Sequence, residues 1–146
     1  MQLTEILSKK GPEIYKTTPK ATVFDAIKLM SEKDVGALLV MDGEKLAGII
    51  SERDYRNKVI LKGRRSAETR VEEIMTTQVY VVQPTETVTG CLGIMTDRKI
   101  RHLPIVEENG RVVGVVSIGD LVKAKISKQE VEISTLRKYI SGEYPG

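Results

Sequence analysis

Seven residues, Gly48-Ile49-Ile50-Ser51-Glu52-Arg53-Asp54, return 66 positions later as Gly114-Val115-Val116-Ser117-Ile118-Gly119-Asp120. A chain with a fixed internal period must build one supersecondary unit twice and then bury whatever that unit leaves bare. In each copy a glycine and two β-branched residues close an apolar run, which predicts the end of a strand. A serine with an aspartate three residues on then opens a more polar run, which predicts a helix start. Each copy is a corner where side-chain oxygens and free backbone N–H groups face outward together.

The surroundings of the corners repeat as well. Leu3, Ile6 and Leu7 have helical spacing, and Gly11-Pro12 ends that helix. A strand over 14–17 precedes Pro19. Thr22 stands as an N-cap with Asp25 three residues on, and Val23, Ala26, Ile27 and Met30 line one helix face. Residues 37–41 read as a strand, Asp42-Gly43 as a hairpin turn and 46–50 as the return strand. A strand over 79–82 then precedes Pro84, and Thr87, Val88 and Met95 repeat Thr22, Val23 and Met30 at an offset of 65. A strand over 103–106, a turn at Asn109-Gly110 and a return strand over 112–116 complete the second copy. The unit is β-α-β-β-α, present twice. The expected boundaries are an N-terminal helix over 1–12, repeats over 13–68 and 69–126 forming one module, and a C-terminal helix over 127–146.

Neither half closes alone. A helix between the first two strands makes them parallel, and the right-handed crossover puts the helices on one face. Yet 37–41 and 103–106 are apolar at successive positions, the pattern of strands covered on both sides. The second face must meet the sister unit. The expected fold class is α/β (α+β), two sheets packed face to face about a pseudo-twofold axis, with a cleft at each end of the seam. The Ser-x-x-Asp corners fall at those clefts.

Beyond Asp120 the last helix outruns its counterpart. Val122, Ile126, Gln129, Ile133, Leu136 and Ile140 keep a heptad-like spacing until Gly142, which predicts a homodimer. Other classes are disfavoured. Lys plus Arg number 23 against 20 Asp plus Glu, too small an excess to argue for nucleic acid. The basic run Lys62-Gly63-Arg64-Arg65 contains no aromatic residue and reads as a solvated loop. No window approaches the ~20 apolar residues of a membrane span, and the N-terminus lacks the build of a signal peptide, so a cytoplasmic setting is expected. Cys91, the single cysteine, excludes an intramolecular disulfide and reads as a small buried helix residue.

Ser-x-x-Asp has two readings. As a capping box, serine and aspartate satisfy each other's backbone N–H groups. As a ligand corner, the aspartate accepts two hydrogen bonds from a ribose diol, the serine joins it, and the upstream glycine lets a ligand approach the backbone. The doubled unit with these corners, and with Arg101-His102-Leu103-Pro104-Ile105-Val106 as a middle strand, resembles a tandem pair of CBS (cystathionine beta-synthase) domains from about Ile14 to Ala124. The ending Tyr139-Ile140-Ser141-Gly142 is similar to that of stand-alone members. The resemblance implies binding of AMP, ADP, ATP, NAD or S-adenosylmethionine, and regulation of an attached or associated protein. It implies ribose contacts at Ser51, Asp54, Ser117 and Asp120. It also implies adenine packing near Thr18, Gly36, Ala37, Leu38, Leu103 and Pro104.

The copies differ in charge. Arg53 matches Gly119, whereas Arg101 and His102 match Gly36 and Ala37. Arginine forks phosphate oxygens, so two non-equivalent pockets are expected, with Arg53, Arg101, His102 and Lys16 as phosphate candidates. Arg53 also reads as an ordinary helix-surface charge, and His102 as a satisfied strand residue. Magnesium would enter only with a nucleotide's phosphates. No Gly-x-x-x-x-Gly-Lys or His-Glu-x-x-His occurs, and one histidine gives a serine nucleophile little choice of base. The expectation is a non-enzymatic sensor of adenine nucleotides. Its rivals are a structural dimerisation module with vestigial pockets, and a nucleic-acid binder acting through 62–70.

Overall fold

The computed structural model describes residues 1–140, with side chains for all of them but 130, 131, 139 and 140. Helix α1 (Leu3–Lys10) leads to strand β1 (Lys16–Thr17), helix α2 (Val23–Lys33), strands β2 (Ala37–Asp42) and β3 (Lys45–Ser51), and helix α3 (Glu52–Lys58). Two 3-10 turns (Ile60–Lys62 and Ser66–Glu68) and a short helix α4 (Val71–Ile74) connect to the second copy. It comprises helix α5 (Val88–Arg98), strands β4 (His102–Val106) and β5 (Val112–Ser117), and helix α6 (Ile118–Ile140).

The repetition extends to local geometry. Thr22 caps α2 by accepting the Asp25 N–H at 3.1 Å, and Thr87 caps α5 by accepting the Gly90 N–H at 3.0 Å. Both helices end on a left-handed residue that is not glycine, Asp34 (φ 53°) and Lys99 (φ 55°). Both hairpins shift register at the same place, between Val40 and Met41 and between Ile105 and Val106. β2 pairs parallel with β1 and antiparallel with β3, as the crossover argument requires.

The second sheet departs from expectation. It has two strands, β4 and β5, and the strand expected over 79–82 is reduced to one parallel bridge between Val82 and Ile105. Its counterpart expected over 14–17 also shortens, to Lys16–Thr17. The reason is burial. Val82 enters the core, whereas Tyr80 and Val81 stay exposed and cannot stabilise further pairing by packing.

Two apolar clusters hold the molecule, and each draws on a helix that lies outside its own β-α-β-β-α unit. Val23, Ala26, Met30, Leu38, Val40 and Ile50 of the first repeat pack with Val71 and Ile74 of α4. Val88, Cys91, Met95, Leu103, Ile105, Val116 and Leu121 of the second pack with Leu3 and Ile6 of α1. Backbone bonds fix both attachments. Val23 N–H donates to Thr69 O (2.8 Å) and Val71 N–H to Ala21 O (2.9 Å); Val88 N–H donates to Met1 O (2.9 Å) and Leu3 N–H to Glu86 O (3.0 Å). The repeated glycines make room for these segments. A Cβ at Gly48 would lie 2.6 Å from the Thr76 carbonyl oxygen, and one at Gly114 would lie 2.7 Å from Leu7 Cδ2. The space that the sequence suggests for a ligand is filled by protein.

β2 is buried from Ala37 to Met41, so the face carrying Leu39 is covered as well as the face carrying Leu38 and Val40. Pro104, opposite in direction to Leu103 and Ile105, is likewise buried. The two sheets turn these second faces to each other. At the edge of the seam, a Cβ on Gly36 would stand 3.4 Å from the His102 ring. α6 runs on past the module, and Val122, Ile126, Ile133 and Leu136 are 42, 48, 50 and 59% exposed. Ser141 and Gly142, where the sequence places the helix stop, lie outside the described residues.

Leu3 is completely buried although it precedes the first repeat. Leu3→Ala is expected to cost about 2–5 kcal/mol in denaturant unfolding. Hydrogen exchange is expected to accelerate first in α5 and β4. Acceleration confined to α2 and β2 would contradict this arrangement.

Candidate functional site

The first corner opens on a cleft of about 1220 Å³ between the repeats. The end of α2 (Met30, Ser31, Asp34), Val35, Gly36, the end of β3 (Ile49, Ser51) and the start of α3 (Glu52 to Arg56) form one wall. Thr76, Gln78, Val79 and Tyr80, with Arg98, Ile100, Arg101 and His102, form the other. The segment that fails to complete a third strand therefore lines the cleft.

At the first corner Ser51 and Asp54 form a full capping box. Asp54 Oδ2 accepts the Ser51 N–H and Oγ–H, both at 3.0 Å, while Ser51 Oγ accepts the Asp54 N–H at 3.2 Å. Asp54 Oδ1 meets Lys58 Nζ at 3.0 Å and the Thr76 hydroxyl at 3.5 Å. The Thr76 contact is the longest of these and the easiest for an incoming hydroxyl to replace. The capping reading is thus correct for this corner, and one acceptor site remains weakly used.

Positive charge gathers around the cleft. Arg53 Nη1 donates to Lys99 O at 2.9 Å, across the seam. Arg98 stacks on Tyr80, 4.5 Å from the ring centroid, and donates to its hydroxyl at 2.8 Å. Arg101 is exposed; its carbonyl accepts the Ile118 N–H at 2.8 Å, and its guanidinium has no hydrogen bond or ion pair among the described residues. His102 sits at the seam. Burial pulls its imidazole below the usual value; Asp120 opposes this, and Lys10, Arg101 and Arg53 reinforce it. Among the described residues, no cluster of three or more His, Cys, Asp or Glu is arranged for a metal ion. Burial, with help from Glu86, pushes the Cys91 thiol up to about 11, so it stays protonated.

The second corner has the same capping geometry and a different neighbour. Asp120 Oδ2 accepts the Ser117 N–H at 2.9 Å, and Ser117 Oγ accepts the Asp120 N–H at 3.1 Å. Lys10 of α1 also donates to Asp120 Oδ2 at 2.8 Å and to Val115 O at 2.9 Å. Burial raises the Asp120 carboxyl, but Lys10 and the Ser117 bonds outweigh it and hold the group below the usual range.

Of the residues singled out from sequence, Gly36, Ser51, Arg53, Asp54, Arg101 and His102 come together in one cleft. Ser117, Gly119 and Asp120 form the other corner. Leu38 and Leu103 are core residues of their own repeats, Ala37 and Pro104 are buried in the sheets, and Lys16 in β1 and Thr18 just after it are exposed. Sequence reasoning missed Thr76, Tyr80, Arg98 and Lys10. For two of these the signal was present: Tyr15 and Lys33 precede Tyr80 and Arg98 by 65 positions, and Lys33 lies 5.6 Å from the Tyr15 ring.

Two mixed repeats that exchange their leading helices around a shared cleft define a tandem two-repeat module. A CBS domain profile matches residues 5–60 and 71–127, and the chain belongs to the CBS domain family. The mitochondrial CBS domain-containing protein CBSX3 of Arabidopsis thaliana is 39% identical over 97% of this chain and 73% of its own length. A CBS-domain protein from Burkholderia ambifaria superposes with a TM-score of 0.84 at 48% identity, covering 88% of this chain and 96% of that one. A CBS domain protein from Pyrobaculum aerophilum, solved in complex with AMP, shares the fold with a TM-score of 0.74 at 24% identity, covering 82% and 89%. No described helix is long and apolar enough to cross a membrane.

His102 is the only histidine, so its titration is directly readable by NMR. Its depressed value means that the folded state prefers the neutral ring. The stability this contributes is present above about 6.5, the unfolded value, and is lost as pH falls through the folded value. His102→Gln is expected to remove that part of the acid dependence. An imidazole titrating above about 6.5 would contradict the burial seen here.

Proposed function

We propose that the chain is a regulatory module that binds an adenine nucleotide in the first cleft and modulates a partner protein. The observation that carries this reading is one opening lined both by a diol acceptor, Asp54, and by the Arg101 guanidinium, which has no hydrogen bond or ion pair among the described residues. Asp54 Oδ1 takes the ribose in place of the Thr76 hydroxyl, and Ser51 stays as the cap that aims it. Arg101, with Arg53 turned from the Lys99 carbonyl, takes phosphate. Ile49, Val79, Tyr80 and Ile100 offer apolar surface to the base. The AMP complex of the Pyrobaculum aerophilum protein supports the ligand class. Magnesium would arrive with a polyphosphate, and residues 13–68 and 69–126 act as one non-enzymatic unit. The exposed α6 seam serves a homodimer, and the protonated Cys91 suits a reducing, cytoplasmic setting. The dimerisation rival draws on the near-saturation of Asp54.

Thermal unfolding with AMP, ADP, ATP, NAD, NADH and S-adenosylmethionine separates the two. A ligand at 100 times its Kd is expected to add ~2.7 kcal/mol. Arg101→Ala is expected to weaken binding roughly 10- to 100-fold, the loss of one charge-assisted bond. If no compound moves the transition, the nucleotide reading fails.

The seam makes a separate prediction. Ile126→Asp with Ile133→Asp is expected to convert a dimer into a monomer in sedimentation velocity. A wild-type monomer at micromolar concentration would contradict it.

A further inference from the structure

The basic run that begins at Lys62 takes no part in the cleft or in the α6 seam, and the fold gives it an apolar companion. Between Asp54 and Glu68 the chain holds Arg56, Lys58, Lys62, Arg64 and Arg65 and no carboxylate. In the middle of this stretch Ile60 and Leu61 are 54 and 70% exposed. Leu61 is the most exposed large apolar side chain among the described residues.

Their outward position is built in. Val59 is buried in the first core and anchors the end of α3, and the 3-10 turn closes back on it. The Lys62 and Arg64 N–H groups donate to Val59 O at 3.3 and 2.9 Å, and the Gly63 N–H donates to Ile60 O at 3.1 Å. Gly63, at a left-handed φ of 66°, reverses the chain. On the far side, the hydroxyl of the buried Thr69 donates to Arg65 O at 2.7 Å. Two aliphatic tips are thus carried on a fixed turn. The charges beside them are largely unclaimed. Arg64 pairs with Glu73, but Arg65 meets Glu68 only at 4.0 Å with both side chains open to water. Lys62 has no side-chain hydrogen bond or ion pair among the described residues.

The occupant follows from this chemistry. Aliphatic tips give stacked bases no platform, which disfavours a nucleic acid. Two side chains fall well short of the ~800 Å² that each partner buries in a stable protein–protein interface. An anionic lipid surface asks for what is present: apolar tips that enter the headgroup boundary, with lysine and arginine around them to meet phosphates. We infer that the turn over 60–65 is a peripheral contact with an anionic membrane. Ile60 and Leu61 enter the headgroup region, and Lys62 and Arg65 hold lipid phosphates. The contact is reversible, because so small an apolar area anchors far less than a spanning helix. It does not depend on the nucleotide reading.

Cosedimentation of the full chain with vesicles at low ionic strength tests this. The wild type is expected to bind vesicles of equal parts phosphatidylcholine and phosphatidylglycerol, and not vesicles of phosphatidylcholine alone. Lys62→Gln and Arg65→Gln are each expected to weaken binding about fivefold. Ile60→Ser with Leu61→Ser is expected to weaken it at least about tenfold. The chain has no tryptophan, so Leu61→Trp puts a single indole reporter at the tip, and its emission is expected to shift to the blue on the mixed vesicles. Absence of binding, equal binding to both kinds of vesicle, binding that survives the double serine change, or an unshifted emission would overturn the inference. So would a DNA duplex that binds where the mixed vesicles do not.

Discussion

A small sheet with helices on one face is not a stable object, because its other face remains in water. Everything in this molecule follows from how that face is closed. β2 is buried along both sides, so its second face is covered as well as the one on its own helices. The leading helices tighten the arrangement. α1 precedes the first repeat and seals the second core, while α4 precedes the second and seals the first. Burying an aliphatic side chain stabilises by about 1.5–3 kcal/mol, so the four residues that cross over, Leu3, Ile6, Val71 and Ile74, tie the halves strongly.

The cleft is a consequence of that closure. Where the two repeats meet a gap is left at the edge, and the strand end that reaches it carries Ser51. Both corners keep their capping boxes, so structural and binding roles do not compete there. The serine N–H points the aspartate at both, and the cation differs: Lys58 of the same helix meets Asp54 Oδ1 at the first, where Thr76 also touches it loosely, and Lys10 of α1 meets the capping oxygen Asp120 Oδ2 at the second. Divergence of the two copies has gathered Arg53, Arg98 and Arg101 around the first opening.

Much of the architecture was legible because the repeat doubles every signal. Caps at Thr22 and Thr87, both hairpins and both corners were readable by spacing alone, and successive apolar residues at 37–41 indicated a doubly covered strand. The third strand of the second sheet was misjudged because apolar content at Tyr80 and Val81 does not say which way a segment faces. The glycines were misjudged for a related reason. Gly48 and Gly114 do admit a close neighbour, but a sequence cannot tell ligand from protein, and the neighbours are Thr76 and Leu7. Lys10 was invisible in principle, since its contact spans 110 positions and has no counterpart in the other repeat.

Amide chemical shifts of the isotopically labelled chain, followed through an AMP titration, test the central claim most directly. The account predicts simultaneous, saturable changes on both sides of the seam, at Gly36 and Ser51 to Asp54 in one repeat and at Tyr80, Arg101 and His102 around the other. Changes restricted to a single repeat, or gathered along α6 with the cleft residues silent, would contradict it.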